Sequence, residues 1–328
     1  MTRALLFACF LVFSPGLVAA AGPPPPATPL LDFKDLPPLS NYPARDGLDL
    51  AYREYGGGRR VAVLLHGSAG QSLTMNPLAK SLSAAGFTVY ALDVRGHGES
   101  GRRGDIDYPG QLDHDLADFV AGVRRQKPDA EITLVGFSAG GAFALRTAGG
   151  ENGRLFDRYV LLAPALTFPS RIARRGGGWA RVDFPRIVVT LGLNRLGLHQ
   201  WDDRPVVRFD VPAAVAPLMT PSYSFRLAMN YAARDYAGAL RRARRPVLVL
   251  AGMQDQQFHA DRYEPEFTTA NPSVRVTLVP GLDHAGLITR PEGLAAITAS
   301  LRHADAPRQQ PVANVGGATK RRHQGDET

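Results

Sequence analysis

A mostly parallel α/β sheet, with helices on both faces and an inserted cap, is the fold class this sequence predicts. Three observations predict it. Short apolar runs alternate with helix-patterned segments between residues 61 and 303, the rhythm of strand–helix–strand units. One run, starting at Glu131, ends in Gly136-Phe137-Ser138-Ala139-Gly140 and passes directly into a helical pattern to Ala148. The interval from Ala165 to Arg245 breaks the rhythm, and a structureless loop of that length is unusual inside a compact domain. At 328 residues and 45% hydrophobic, the chain can bury one large core.

Residues 1–21 read as a secretory signal peptide. Arg3 precedes the apolar stretch Ala4 to Phe13, and Ala19-Ala20-Ala21 supplies a small-residue end. Cleavage is expected near Ala21, with export to the periplasm or beyond. Cys9, the single cysteine, falls inside this segment. Residues 22–38, with Pro23-Pro24-Pro25-Pro26 and Pro37-Pro38, read as an extended linker. The folded unit is placed at 39–303, and the polar Gly/Gln/Arg-rich stretch 304–328 reads as a disordered tail.

Within the unit, Leu48 to Tyr55 alternates and runs into Gly56-Gly57-Gly58, a hairpin signal leading to the strand Val61 to Leu65. That hairpin would add antiparallel strands at one edge. Asn76-Pro77 is expected to cap a helix to Ala85, stopped by Gly86 before the strand Thr88 to Leu92. Leu112, Leu116, Phe119 and Val123 share one helical face that ends before Pro128. Further strands are expected at Tyr159 to Ala163, Val247 to Leu250 and Val274 to Val279. Helices are expected near Asp261 to Ala270 and from Pro291, which suits a first turn. The interval of about 165–245 is read as the cap, with short helices such as Phe225 to Ala232.

The chemistry follows from the strand ends. Gly-x-Ser-x-Gly between a strand and a helix is a nucleophile elbow: small neighbours let the chain turn sharply and hold the Ser138 hydroxyl above the sheet. A serine hydroxyl needs a base within hydrogen-bond reach, and in doubly wound sheets the partners follow strand ends. Asp255 comes just after Leu248-Val249-Leu250-Ala251-Gly252, and His284 just after Leu278-Val279. Asp255 could orient one ring nitrogen of His284 while the other faces Ser138; Asp261 and Asp283 compete for the acid. Oxyanion donors are expected at the backbone N–H of Ala139 and of Ser68, with Ala69 as the alternative, in His66-Gly67-Ser68-Ala69-Gly70. That loop lacks the Lys-Ser/Thr ending of a phosphate loop.

The net charge of +8 is uneven. Residues 171–245 hold 14 Arg against 5 Asp and no Lys or Glu, hence +9. Only Arg241-Arg242-Ala243-Arg244-Arg245 is dense. The scatter of the rest favours a solvated face over a surface for anionic lipid or acidic substrate, and an anionic membrane contact stays open. No basic helix or aromatic-interleaved stripe accompanies the charge, which argues against nucleic acid.

His66-Gly67, Asp93-Val94-Arg95-Gly96-His97-Gly98-Glu99-Ser100, the elbow, Gly252-Met253-Gln254-Asp255 and Asp283-His284 together resemble the α/β-hydrolase superfamily. The Asp93 to Ser100 stretch most resembles its lysophospholipase and monoacylglycerol-lipase-like branch, related to the serine aminopeptidases. The resemblance covers roughly residues 45 to 302. It implies an α/β-hydrolase fold and a serine esterase mechanism with the triad Ser138, Asp255 and His284, without metal or cofactor. The substrate implied is a small-molecule or lipid ester such as a lysophospholipid or monoacylglycerol. Asp93 to Ser100 would be a scaffold loop, with His97 near the site. One departure is Gln256, where relatives often carry Pro after the acid. A peptidase or amidase on the same triad, or a binding protein without turnover, are the alternatives.

Overall fold

The computed structural model describes residue 33 and residues 35–166, 170–174 and 179–303. The expected signal peptide, most of the linker and the tail lie outside the described residues. The strands are β1 (Leu39–Pro43), β2 (Asp49–Tyr55), β3 (Arg60–Leu65), β4 (Phe87–Leu92), β5 (Ile132–Phe137), β6 (Arg158–Leu162), β7 (Ala180–Val182), β8 (Pro205–Phe209), β9 (Ser222–Ser224), β10 (Val247–Gly252) and β11 (Arg275–Val279). The helices are α1 (Asn76–Ala84), α2 (Gln111–Gln126), α3 (Ala139–Ala148), α4 (Phe184–Arg195), α5 (Phe225–Tyr231), α6 (Tyr236–Arg242), α7 (Tyr263–Ala270), α8 (Gly286–Thr289) and α9 (Pro291–His303).

The main sheet runs β1-β2-β4-β3-β5-β6-β10-β11. From β4 to β11 every pairing is parallel; β1–β2 and β2–β4 are antiparallel. Val61 to Leu65 are fully buried, as expected of central parallel strands covered on both faces. α1 packs with α8 and α9, and α3 with α5 and α6, so two helical groups flank the sheet. On α2, Leu112, Leu116, Phe119 and Val123 are all buried, so the heptad-like spacing delivers one apolar face to the core.

Two local expectations fail. The glycines after β2 do not close a hairpin with β3, because β4 lies between those strands. The antiparallel edge is instead built by β1 and β2, turning at Ala44 to Leu48, where Ala44 N–H and Gly47 N–H donate to Leu48 O and Ala44 O. Gly56 and Gly58 are needed for a different reason: a Cβ on either would strike the backbone at Gly86 or Phe87 as the chain passes the start of β4. Nor does Asn76 cap α1. Its Oδ1 accepts from Tyr55 Oη at 3.0 Å inside the core, and Met75 occupies the cap position.

The cap carries short helices and also a second, three-stranded antiparallel sheet, β7-β8-β9. Its strands are three to five residues long, too short to leave a readable alternation.

Candidate active site

Ser138 sits at the turn from β5 into α3 with φ 53° and ψ −115°. A positive φ is costly for a residue with a Cβ, and the surroundings enforce it. Ser138 N–H donates to Leu162 O at 2.8 Å, and its carbonyl accepts from Ala142 N–H and Ala165 N–H. The flanking glycines are required by contact: a Cβ on Gly136 would overlap the backbone of Gly140, and one on Gly140 would overlap the carbonyls that end β3. The turn therefore packs against the end of β3, where a Cβ on Gly67 would lie 3.2 Å from that of Ser138.

Asp255 and His284 come from the loops after β10 and β11, which are knitted together by Met253 N–H to Val279 O and Gln254 N–H to Leu282 O. The structure brings the two side chains into contact: His284 Nδ1 lies 2.7 Å from Asp255 Oδ2. Both are buried. The other carboxylate oxygen, Oδ1, accepts from Gln257 N–H at 2.8 Å and Phe258 N–H at 2.9 Å, which fixes its plane. With a carboxylate as acceptor, Nδ1 carries the proton and Nε2 is left as a base. The ring lies between Phe137 and Phe258, at centroid distances of 4.8 and 5.1 Å. Asp283 is engaged elsewhere, accepting from Gly286 N–H at 2.6 Å.

Among the described residues no hydrogen bond joins Ser138 Oγ to the ring. Catalytic serine–histidine bonds are often long until a substrate draws the two groups together. Ser138 and His284 line one cavity of about 270 Å³ together with Gly67, Ser68 and Gly70. Its other walls are mostly apolar and come largely from the cap: Trp179, Val211, Pro212, Val215 and Met219, with Ile288 from α8. Larger hollows lie away from this rim. One of about 590 Å³ runs between α2, α3 and α6 and contains none of these groups.

Of the two amides expected to face the oxyanion, Ala139 N–H stands at the first position of α3, where a helix supplies no acceptor. In the loop after β3, Ser68 lines the cavity. The alternative, Ala69 N–H, is occupied: it donates to Tyr223 Oη at 2.6 Å.

Four polar side chains of Asp93 to Ser100, those of Asp93, Arg95, His97 and Ser100, have partners that hold the loop. Asp93 accepts from Ser72 N–H and Glu99 N–H. Arg95 grips Asp115 through two 2.8 Å bonds and pairs with Asp46 at 2.9 Å. Ser100 Oγ accepts from Ala51 N–H. His97 stands beside the loop after β3, its ring 4.7 Å from that of His66. Burial lowers the pKa of both rings, and the neighbouring His66 lowers that of His97 further.

Sequence reasoning missed three groups here. Tyr223 and Tyr231 lie in the cap, far along the chain from the site, yet their hydroxyls reach Ala69 N–H and His66 O. Arg174 donates Nε to the carbonyls of Asp255 and Phe258, both at 3.1 Å. No pattern marked them. Gln256, noted as a departure, has a visible use: its Oε1 accepts from His284 N–H at 3.1 Å.

The profile of the Hydrolase_4 family (serine aminopeptidase, S33) matches residues 57–289. N-formylmaleamate deformylase of Pseudomonas putida is 34% identical over 128 residues, 39% of this chain and 46% of that protein. Human monoglyceride lipase is 29% identical over 137 residues, 42% of this chain and 45% of the relative. The matched stretch thus spans under half the length of either relative. Among solved structures, a soluble variant of monoglyceride lipase from Saccharomyces cerevisiae superposes with a TM-score of 0.60 at 18% identity, covering 82% of this chain and 94% of that one. At that identity the likeness speaks for the fold alone.

Proposed function

Because the chain belongs to the serine aminopeptidase (S33) family of α/β-hydrolases, we propose that it is a serine hydrolase cleaving carboxylic esters through an acyl-enzyme. The substrate class proposed is a lysophospholipid or monoacylglycerol-like ester. The reading rests on one observation: the Asp255–His284 pair opens onto the same cavity as Ser138. In the proposed cycle His284 Nε2 takes the proton as Ser138 Oγ bonds to the carbonyl carbon. The oxyanion is met by the amides of Ser68 and Ala139. Collapse breaks the C–O bond, and the alcohol leaves with the proton from His284. Water, deprotonated by the same ring, then releases the acid. Asp255 holds the ring in the required tautomer.

The apolar cap wall suits an acyl chain, since binding one there removes apolar surface from water. A second reading has its own observation. Asp210, from the cap, lines the same cavity and pairs with Arg181 at 3.0 Å; a carboxylate there suits a substrate amino group and hence a peptidase. Turnover of glycerol and phosphocholine esters of graded chain length, set against aminoacyl anilides, separates the two. We expect esters to exceed anilides in kcat/KM by at least about 100-fold, within the range that pocket contacts discriminate. Dominant anilide turnover that disappears in Asp210→Asn would transfer the assignment to the peptidase.

Two further expectations remain proposals. Export is tested by amino-terminal sequencing of the mature chain, with Gly22 expected first. Anionic surface contact is tested by vesicle binding at low and high salt. Arg241, Arg244 and Arg245 surround a hollow with Arg158 and Arg275 at the starts of β6, β10 and β11. That is the end of the sheet opposite Ser138 and His284, so contact through these arginines would leave the cavity on the far side.

A further inference from the structure

The loop that carries Ser68 is held from outside by the cap. Ala69 has φ 59°, the left-handed region that residues with a Cβ seldom adopt. Both of its backbone groups are gripped by one cap segment: Thr220 N–H donates to Ala69 O at 2.9 Å, and Ala69 N–H donates to Tyr223 Oη at 2.6 Å. Tyr223 Oη is in turn 2.7 Å from His97 Nε2.

The directions of these bonds follow from donor chemistry. His97 Nδ1 faces two carbonyls, Val94 O at 3.1 Å and Arg95 O at 3.3 Å, so it carries the ring proton and Nε2 accepts. The phenol must then donate to His97, leaving an oxygen lone pair for Ala69 N–H. No other arrangement satisfies all four groups with a neutral ring. Burial keeps both partners neutral, raising the phenol pKa and lowering that of the imidazole. Tyr231 adds a second tie, donating to His66 O at 2.9 Å at the start of the same loop.

We propose that Tyr223, seated on His97, is a positioning residue that sets the oxyanion loop through Ala69, so that the cap and the oxyanion hole are ordered as one unit. The inference rests on the proposed role of Ser68 N–H. A tyrosine that merely filled the core would affect stability and leave the chemistry alone. One that aims the loop has a different signature: it affects the tetrahedral state more than the ground state.

The test uses the mature protein, p-nitrophenyl butyrate as substrate and butaneboronic acid as a mimic of the tetrahedral state. Tyr223→Phe deletes only the hydroxyl. It is expected to lower kcat by about 10- to 100-fold, less than loss of an oxyanion donor itself, with KM within about 2-fold. Boronate affinity should fall alongside kcat. His97→Gln offers an amide oxygen to the phenol and should keep kcat within about 5-fold, whereas His97→Leu should behave like Tyr223→Phe. Unchanged kcat and boronate affinity in Tyr223→Phe, with only a lower Tm, would overturn the proposal. If Tyr223→Phe does not fold, equal kcat in His97→Gln and His97→Leu does the same. Retained turnover in Ser138→Ala would remove the serine mechanism itself, a result told apart because it does not involve Tyr223.

Discussion

In the main sheet, β5 buries Ile132 to Val135 and hands the chain to a residue locked at φ 53°; in the cap, α4 leaves Phe184 68% exposed. The same contrast holds for side-chain partners. Asp255 has both carboxylate oxygens engaged, one by His284 and the other by two amides. Cap residues such as Val188, Val189 and Leu196 face outward. A reactive serine, base and acid must be held to fractions of an ångström, which favours elements packed on all sides. A wall that sorts substrates can tolerate more freedom. Tyr223, Thr220, Tyr231 and Arg174 are exceptions, cap residues that reach down to the rigid rim.

Asp255→Asn should lower kcat by about ten-thousand-fold with an unaltered Tm, because the amide can no longer hold His284 in the tautomer that leaves Nε2 basic; steady-state kinetics and calorimetry on one preparation check both halves. Next, Leu134→Ala, in the fully buried centre of β5, should cost about 3 kcal/mol in urea unfolding. Phe184→Ala on the exposed face of α4 should stay within about 0.5 kcal/mol. Comparable losses at both positions would erase the distinction between body and cap.

A third prediction concerns pH. The folded protein keeps His66 and His97 neutral through burial, with both pKa values lowered. Above the ordinary imidazole pKa of about 6.5, both folded and unfolded chains carry neutral rings and this contribution is fully present. Below it the unfolded chain takes up protons that the folded chain resists, so stability falls as pH drops toward the lowered folded values. Urea midpoints at pH 7.5 and 5.5 should show the fall, and His97→Gln should make it smaller. A slope unaffected by that substitution would mean His97 is not one of the groups resisting protonation. The smallest effect is expected at the cap wall, where Met219→Ala should raise KM for a long-chain ester by about 10-fold while sparing a short-chain one.

Legibility in the sequence followed the same division. The central parallel strands were readable because burial on both faces makes them continuous apolar runs. α2 was readable because Leu112, Leu116, Phe119 and Val123 keep a helical period. Gly136 and Gly140 marked the elbow because the turn tolerates nothing larger. β1 escaped notice: Leu39-Ser40-Asn41-Tyr42-Pro43 is an edge strand with only intermediate burial on one side. The glycines after β2 misled because Gly-rich loops signal turns without saying which strand comes next in space. β7 to β9 are too short for periodicity. The Tyr223–Ala69 contact joins residues 154 positions apart, and no local pattern announces a bond of that kind.

Serine hydrolysis at this rim requires Ser138 to be the nucleophile that His284 activates. Labelling with a fluorophosphonate, mapped by peptide mass spectrometry, tests both parts at once. A single adduct on the peptide containing Ser138 is expected, forming at least about a thousand-fold more slowly in His284→Ala. An adduct on any other residue, or equal labelling rates in the two proteins, would contradict it.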